Sequence, residues 1–236
     1  MNKLNKIRLP LDIMMTLVSI VLMGGNYLFP ADIVHEILGV ALFVLWAIHI
    51  FLNRRWYASL AQASKSITST NANDRRAYGA IFKGKYNPYR IMQTVINCCI
   101  LICTIILMIS GIILSNQLFT FLNIQSGLGF ARIAHLLSSH WYYLFMSLHI
   151  GLHVGRLFQD ITTKIIPRII LALVCAYGIY AFIARGVWKY LILRQQFFFF
   201  DLERGYILFA IDYISIIILF ATLSHLLAKS LKKGKL

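Results

Sequence analysis

Two pairs of histidines with the same spacing lie in apolar segments of this 236-residue chain. His35 and His49 are fourteen residues apart, and His135 and His149 repeat that separation. On an α-helix with ~100° per residue, fourteen residues make four turns less ~40°, so both members of a pair share one helix face, ~21 Å apart along the axis. Neutral imidazole is a common metal ligand, so these four side chains indicate a metal-binding set.

The arrangement of the pairs favours haem over zinc. If the two helices run in the same direction, His35 faces His135 at one depth and His49 faces His149 at another. Haem iron accepts histidine nitrogen at its axial positions, so each facing pair can hold one haem. Zinc takes four protein ligands, or three with an open position, and pairs four turns apart cannot combine into such a site. With both axial positions filled, the chemistry indicated is electron transfer.

The composition places these histidines in a membrane. The chain is 59% hydrophobic and 13% charged, with apolar runs close to the ~20 residues that cross a bilayer. In lipid, such segments must be helices. The sequence therefore predicts an all-α integral membrane bundle, a single domain over 1–236 with haem sites between helices 2 and 4. Its six transmembrane helices are expected at about 11–28, 33–52, 91–114, 133–158, 169–191 and 206–227.

Basic residues predict the orientation of the bundle. Eighteen of the twenty-three Lys and Arg residues fall on the side of the two termini, many of them in the loop 53–88. Both termini are therefore expected in the cytoplasm, in a multi-pass protein of the inner (cytoplasmic) membrane. The net charge of +15 is mostly this orientation signal, so the bilayer rather than nucleic acid is the expected partner. His35 and His135 then form an outer pair, and His49 and His149 form an inner pair.

Residues around the pairs suit a non-covalent porphyrin. Gly39, one turn after His35, leaves room for a flat macrocycle beside the backbone. Arg132, three residues before His135, is a candidate partner for haem propionates, or an anchor at lipid headgroups. The four cysteines lie in apolar spans and no C-x-x-C-H motif occurs, so covalent attachment is not supported. The prediction is two non-covalent haem b groups, each with two axial histidines.

The other histidines have different predicted roles. His153 lies one turn after His149 on a similar face, so it is an alternative inner ligand, although we favour His149. His140 lies ~140° around the helix from His135. It is expected to face another helix or a quinone-like site. His225, beside the basic tail, has a predicted structural role at the membrane interface.

Two segments resemble the flavinylation-associated cytochrome family. The stretches that carry the resemblance are HEILGVALFVLWAIHIFLNRRW, from His35 to Trp56, and HWYYLFMSLHIGLH, from His140 to His153. Members of that family are prokaryotic dihaem membrane cytochromes b, related to ferric-reductase-like membrane domains. The resemblance covers the first four spans best.

The resemblance implies both ligands and partners. Electrons from an inner donor or a membrane quinol would pass to an extracytoplasmic flavoprotein that carries covalent FMN. This chain departs from the family pattern at His140, where an aromatic residue is more usual. The implied haem ligands are His35, His49, His135 and either His149 or His153.

The function predicted is transmembrane electron transfer within a larger redox system. The spans leave no room for a flavin or nicotinamide domain and no G-x-G-x-x-G motif occurs, so donor and acceptor are other molecules, a flavoprotein or a quinone, in a possible membrane complex. The alternatives are a quinol oxidase or metal reductase that acts at a haem edge, and a histidine-lined proton or ion transporter. Asp212 favours a proton role, unless it pairs with Arg185 or Lys189.

Overall fold

The described part of the chain is all-helical, as the sequence predicts. A computed structural model describes residues 3–25, 32–56, 58, 88–155, 158, 161, 163–199 and 205–233. No strand occurs within these residues. The helices are α1 (Lys3–Met23), α2 (Asp32–Leu52), α3 (Pro88–Leu114), α4 (Leu128–His153), α5 (Ile165–Ala184), the short α6 (Val187–Leu191) and α7 (Gly205–Lys233), with a 3₁₀ turn at Thr120–Leu122.

Four of these helices are long and apolar enough to cross a membrane. They are α2, α3, α5 and α7, over Ile33–Leu52, Pro88–Leu114, Ile165–Ala184 and Gly205–Lys232. Their large apolar side chains are often exposed, as Ile169, Leu173 and Ile183 of α5 show. Continuous apolar surface of this kind suits contact with lipid. The chain therefore has the character of a membrane protein, and the prediction that α1 and α4 also cross the membrane remains a prediction.

Helix α4 is at the centre of the bundle. It packs against α1, α3, α6 and α7, and its buried residues include Ser138, His140 and Ser147. A helix with protein on several sides can carry polar side chains that a lipid-facing helix cannot. Its composition is accordingly less apolar than that of α3 and α7.

Close approach of α7 to the helices beside it depends on two glycines. A Cβ atom on Gly151 would collide with the Ala221 carbonyl and the Ser224 hydroxyl. A Cβ atom on Gly178 would lie 2.6 Å from the Ser215 carbonyl oxygen. Small residues at helix interfaces let backbones pack directly in membrane proteins. Gly151 and Gly178 therefore hold α7 against α4 and α5.

The helix boundaries differ from the predicted spans, most clearly at α1, α4, α5 and the end of α7, which reaches Lys233 rather than 227. Helix α1 covers Lys3–Met23 rather than 11–28, α4 covers Leu128–His153 rather than 133–158, and α5 ends at Ala184 rather than 191. The early end of α5 has a local cause, because Gly186 has a φ of +64° and turns the chain. Helix α6 then packs against α4. Most of the predicted loop 53–88 lies outside the described residues.

A buried ion pair joins the end of α5 to α7. Arg185 Nε donates to one carboxylate oxygen of Asp212 at 2.7 Å, and the Tyr177 hydroxyl donates to the other at 2.5 Å. The side chains of Arg185 and Asp212 are 7% and 0% exposed. Of the two partners predicted for Asp212, the structure pairs it with Arg185.

Replacing Asp212 by Ala tests this ion pair. The change leaves the Arg185 cation buried without its partner, so we expect a loss of about 3–5 kcal/mol in unfolding free energy, measured by denaturation in detergent. The double variant Arg185→Met with Asp212→Leu removes both charges and should recover most of that loss. An Asp212→Ala protein as stable as the parent would contradict a structural role for the pair.

Candidate cofactor site

The structure brings the four predicted ligands together as two facing pairs. The ring centroids of His35 and His135 are 6.3 Å apart, with an angle of 57° between the ring planes. Those of His49 and His149 are also 6.3 Å apart, with an angle of 73°. Two pairings at two depths require α2 and α4 to run in the same direction, which is the condition under which the spacing places the pairs face to face.

The distance between ring centroids within each pair is compatible with a shared metal ion. A metal–imidazole bond is ~2 Å, and a five-membered ring with bonds of ~1.33 Å has its centroid ~1.1 Å from each ring atom. Two imidazoles bound to opposite sides of one metal therefore have centroids ~6.2 Å apart. A direct hydrogen bond with ~2.9 Å between ring nitrogens would bring the centroids to ~5 Å. Both observed separations match the metal geometry.

The backbones of α2 and α4 leave space between them. Helix α2 packs mainly against α1 and α3, whereas α4 packs most extensively against α3 and α7. Along their described lengths α2 and α4 make little backbone contact, although their histidines face one another. A group that bridges two helices through axial ligands needs such a gap.

Polar side chains of α1 and α3 orient the imidazoles. Each lies within hydrogen-bonding distance of a histidine Nδ1 atom: Asp12 Oδ1 at 2.7 Å from His49, Asn97 Oδ1 at 2.8 Å from His149, and Ser110 Oγ at 3.0 Å from His135. With Nδ1 engaged, Nε2 is the nitrogen available to a metal. Proteins commonly fix ligating histidines in this way.

One contact in the inner pair would change if a metal bound there. Asn53 Nδ2 lies 3.2 Å from His49 Nε2 and 2.9 Å from the His49 carbonyl oxygen. A metal on Nε2 would displace the first contact and leave the second. A small rotation of the Asn53 amide is therefore sufficient.

The inner pair involves His149 more directly than His153. The ring that faces His49 at 6.3 Å is that of His149. The His153 ring lies beside His149, with 4.5 Å between the centroids, and its side chain is exposed. This geometry favours His149 as the inner ligand and leaves His153 as its neighbour.

An apolar cavity of about 300 Å³ adjoins the outer pair. His35 and His135 line it, as do Gly39 and Gly111. A Cβ atom on Gly39 would meet nothing within 4 Å, and one on Gly111 would lie 3.6 Å from His135 Cε1. The two glycines therefore keep space open where a flat macrocycle would lie. The volume is within the usual range for small-molecule sites.

A second cavity of about 420 Å³ lies on another side of the same pair. It shares His35 and His135 with the first cavity, and it is also lined by Arg132, Gln196 and Phe198. Arg132 is exposed and borders the space, as a partner for propionates would. Open space therefore extends to more than one side of the outer imidazoles.

His140 lines the second cavity without facing another histidine. It is 1% exposed and its ring stacks on Tyr190, with 4.2 Å between centroids. Its Nδ1 atom donates to the Leu136 carbonyl at 2.8 Å, so Nε2 carries a lone pair. Nε2 is buried and has no hydrogen-bond partner within the described residues. His140 is thus a hydrogen-bond acceptor in the wall of the outer site.

Several residues at the site were not predicted from the sequence. Gly111 and the three partners of Nδ1 come from helices other than α2 and α4. Asp12 had a visible signal, because it is an acidic residue inside an otherwise apolar span. Ser110 and Asn97 had none, since small polar residues are frequent in membrane helices for other reasons.

Comparisons of the chain with protein-family models, curated proteins and solved structures find no match to it. Within the described residues, no group of three or more His, Cys, Asp or Glu side chains is placed to hold a metal ion. A haem with two axial histidines needs only two protein ligands. The distances within both pairs are compatible with such groups, and the two cavities provide space beside the outer pair.

Gly39→Leu tests the outer cavity as a cofactor site. The new side chain would fill space beside His35, so we expect the purified protein to lose about one of two haems, measured as the ratio of haem to protein. Gly129→Leu is the matched control, because a Cβ atom there also meets nothing within 4 Å but neither cavity includes that residue. Equal haem contents in the two variants would contradict the assignment of the cavity.

Proposed function

We propose that this protein is a dihaem b-type cytochrome that carries electrons across the membrane. Electrons would pass from a cytoplasmic or quinol donor to an extracytoplasmic, flavin-bearing partner. The observation that carries the proposal is the equal separation of 6.3 Å in both histidine pairs. One such pair can arise from helix packing alone, but two on the same two helices, each at the distance of a shared metal, favour a common cause.

The residues of the chain would bind, orient and shield the haems. His35 and His135 would hold the outer haem, and His49 and His149 the inner one. The haem groups supply one-electron chemistry when bound. With two histidines holding each haem, neither haem would bind substrate directly, and the protein would exchange electrons with its partners.

The cavity at the outer pair supports binding of a porphyrin. Its walls are mainly apolar and come from α1, α2, α3 and α4, so they would exclude water from the macrocycle. Trp46 and Tyr142 line it on the side toward the inner pair. Arg132 borders the neighbouring cavity, where its guanidinium can pair with a carboxylate.

The identity of the partners rests on the family resemblance. The flavinylation-associated cytochromes imply an FMN-bearing protein on the outer face, and the proposed topology presents the outer pair to that side. The protein would then be one electron-transfer subunit of a membrane complex in the inner membrane.

Quinol oxidation at the outer cavity is a second candidate function. The buried Nε2 atom of His140 accepts hydrogen bonds and has no partner within the described residues. A hydroquinone carries O–H donors that suit such an acceptor. The cavity that His140 lines also contains the outer histidine pair, so a quinol there would lie beside the outer haem. By contrast, the transporter alternative loses support, because Asp212 is engaged by Arg185 and Tyr177.

His49→Ala tests the two-haem assignment. We expect the wild-type protein, purified in detergent, to contain about two reducible low-spin haems per chain, and the variant to retain only the outer one. His225→Ala is the matched control, because His225 is also a membrane-helix histidine but its ring stacks on Phe158 at 4.8 Å. A colourless, folded wild-type protein would refute the proposal, and a His49→Ala variant with both haems would refute the ligand pairing.

Rapid mixing with duroquinol tests the second candidate. If quinol is oxidised beside His140, the variant His140→Leu should slow haem reduction by duroquinol by at least ~10-fold, in line with the loss of a key polar contact. Reduction by dithionite, which needs no site, should be unchanged. Equal duroquinol rates in parent and variant would remove this candidate and leave the electron-transfer proposal intact.

A further inference from the structure

One imidazole of each histidine pair can be compared through the group that contacts its Nδ1 atom. In the inner pair, the Asp12 carboxylate lies 2.7 Å from His49 Nδ1. In the outer pair, the Ser110 hydroxyl lies 3.0 Å from His135 Nδ1. One inner imidazole is therefore bonded to an anion, whereas this outer imidazole is bonded to a neutral group.

A carboxylate partner changes how an imidazole binds iron. When the ring N–H donates to a carboxylate, the opposite nitrogen becomes a stronger donor to the metal. A stronger donor stabilises ferric iron relative to ferrous iron and so lowers the reduction potential. The negative charge near the iron acts in the same direction. A serine hydroxyl provides neither effect to the same degree.

Glu36 does not give the outer pair an equivalent partner. Its carboxylate lines the outer cavity, but it accepts hydrogen bonds from the Ser115 hydroxyl at 2.6 Å and from the backbone N–H groups of Asn116 and Leu118 at 2.9 and 2.8 Å. The Glu36 carboxylate therefore stabilises the turn after α3. None of these bonds involves a histidine.

Three cationic side chains near the inner pair contact a backbone carbonyl or an aromatic ring. Arg8 donates to the Leu52 carbonyl at 2.6 Å, Arg54 lies over the Phe51 ring at 4.3 Å, and Lys232 lies over the Tyr89 ring at 4.0 Å. Among the described residues, the ion pair of Asp12 is with His49. The Asp12 side chain is itself 49% exposed, so solvent weakens its charge, but unlike these cations it contacts the ligand directly.

We propose that Asp12 lowers the reduction potential of the inner haem below that of the outer haem, so that electrons flow from the inner pair to the outer pair. The inference rests on the proposed function, because it requires both haems. Asp12 is a positioning residue that acts through His49. Its charge gives the protein a direction of electron flow, toward the outer face.

A redox titration of the haem-loaded wild-type protein tests the inference. We expect two one-electron components, and His49→Ala should leave only the one of higher potential. Asp12→Asn keeps an acceptor oxygen at the same position but removes the charge. It should raise the reduction potential of the lower-potential component by ~59 mV, which is a tenfold change in equilibrium constant for a one-electron couple. The potential of the other component should not change.

Two further variants distinguish the effect of a charge that contacts a ligand from the effect of a charge elsewhere on the protein. Arg54→Gln removes an exposed inner charge without touching a ligand, so its shift should be much smaller and of opposite sign. Asn97→Asp places a carboxylate 2.8 Å from His149, so it should lower the same component further. If Asp12→Asn loses the inner haem, the Asn97→Asp variant still tests whether a carboxylate at an inner ligand lowers the reduction potential.

The two proposals can fail separately. A wild-type protein without two haems would refute the proposed function. A protein with two haems would refute this inference alone if Asp12→Asn moved the higher-potential component, or if it retained both haems and left the lower-potential component unchanged.

Discussion

The structure depends on the cost of placing imidazoles in apolar helices. Four histidines on α2 and α4 are too polar for an apolar environment, and the two helices turn those faces toward each other. The two pairings at 6.3 Å then fix the rotation of each helix and their common direction. The remaining helices are arranged around this contact, with α1 and α3 on either side of the pairs and α7 packed behind α4.

The same constraint explains the polar residues of α1 and α3. A ring nitrogen that is turned inward still needs a hydrogen-bond partner, because an unpaired buried polar group is costly. Asp12, Asn97 and Ser110 provide those partners. In the three rings that they contact, Nε2 is left directed away from them, so the same hydrogen bonds would also suit the metal ligands that we propose.

The sequence predicted the pairs because helical periodicity is a local property. The separation of His35 from His49, repeated by His135 and His149, is sufficient to place each pair on one face. The helical class followed from the apolar composition, and Arg185 was one of the two partners predicted for Asp212. Residues on other helices were missed because periodicity within one segment does not give its rotation against a neighbour. Gly111 and Asn97 became visible only when α3 was placed beside α4, and the early end of α5 depended on the backbone of Gly186.

The central claim is that each histidine pair holds one iron between its two rings. The most direct measurement is the iron content of the purified wild-type protein together with its near-infrared magnetic circular dichroism, which identifies the axial ligands of ferric haem. We expect about two irons per chain, both low-spin with two histidine ligands. Absence of iron, or a haem with a single histidine ligand, would contradict it.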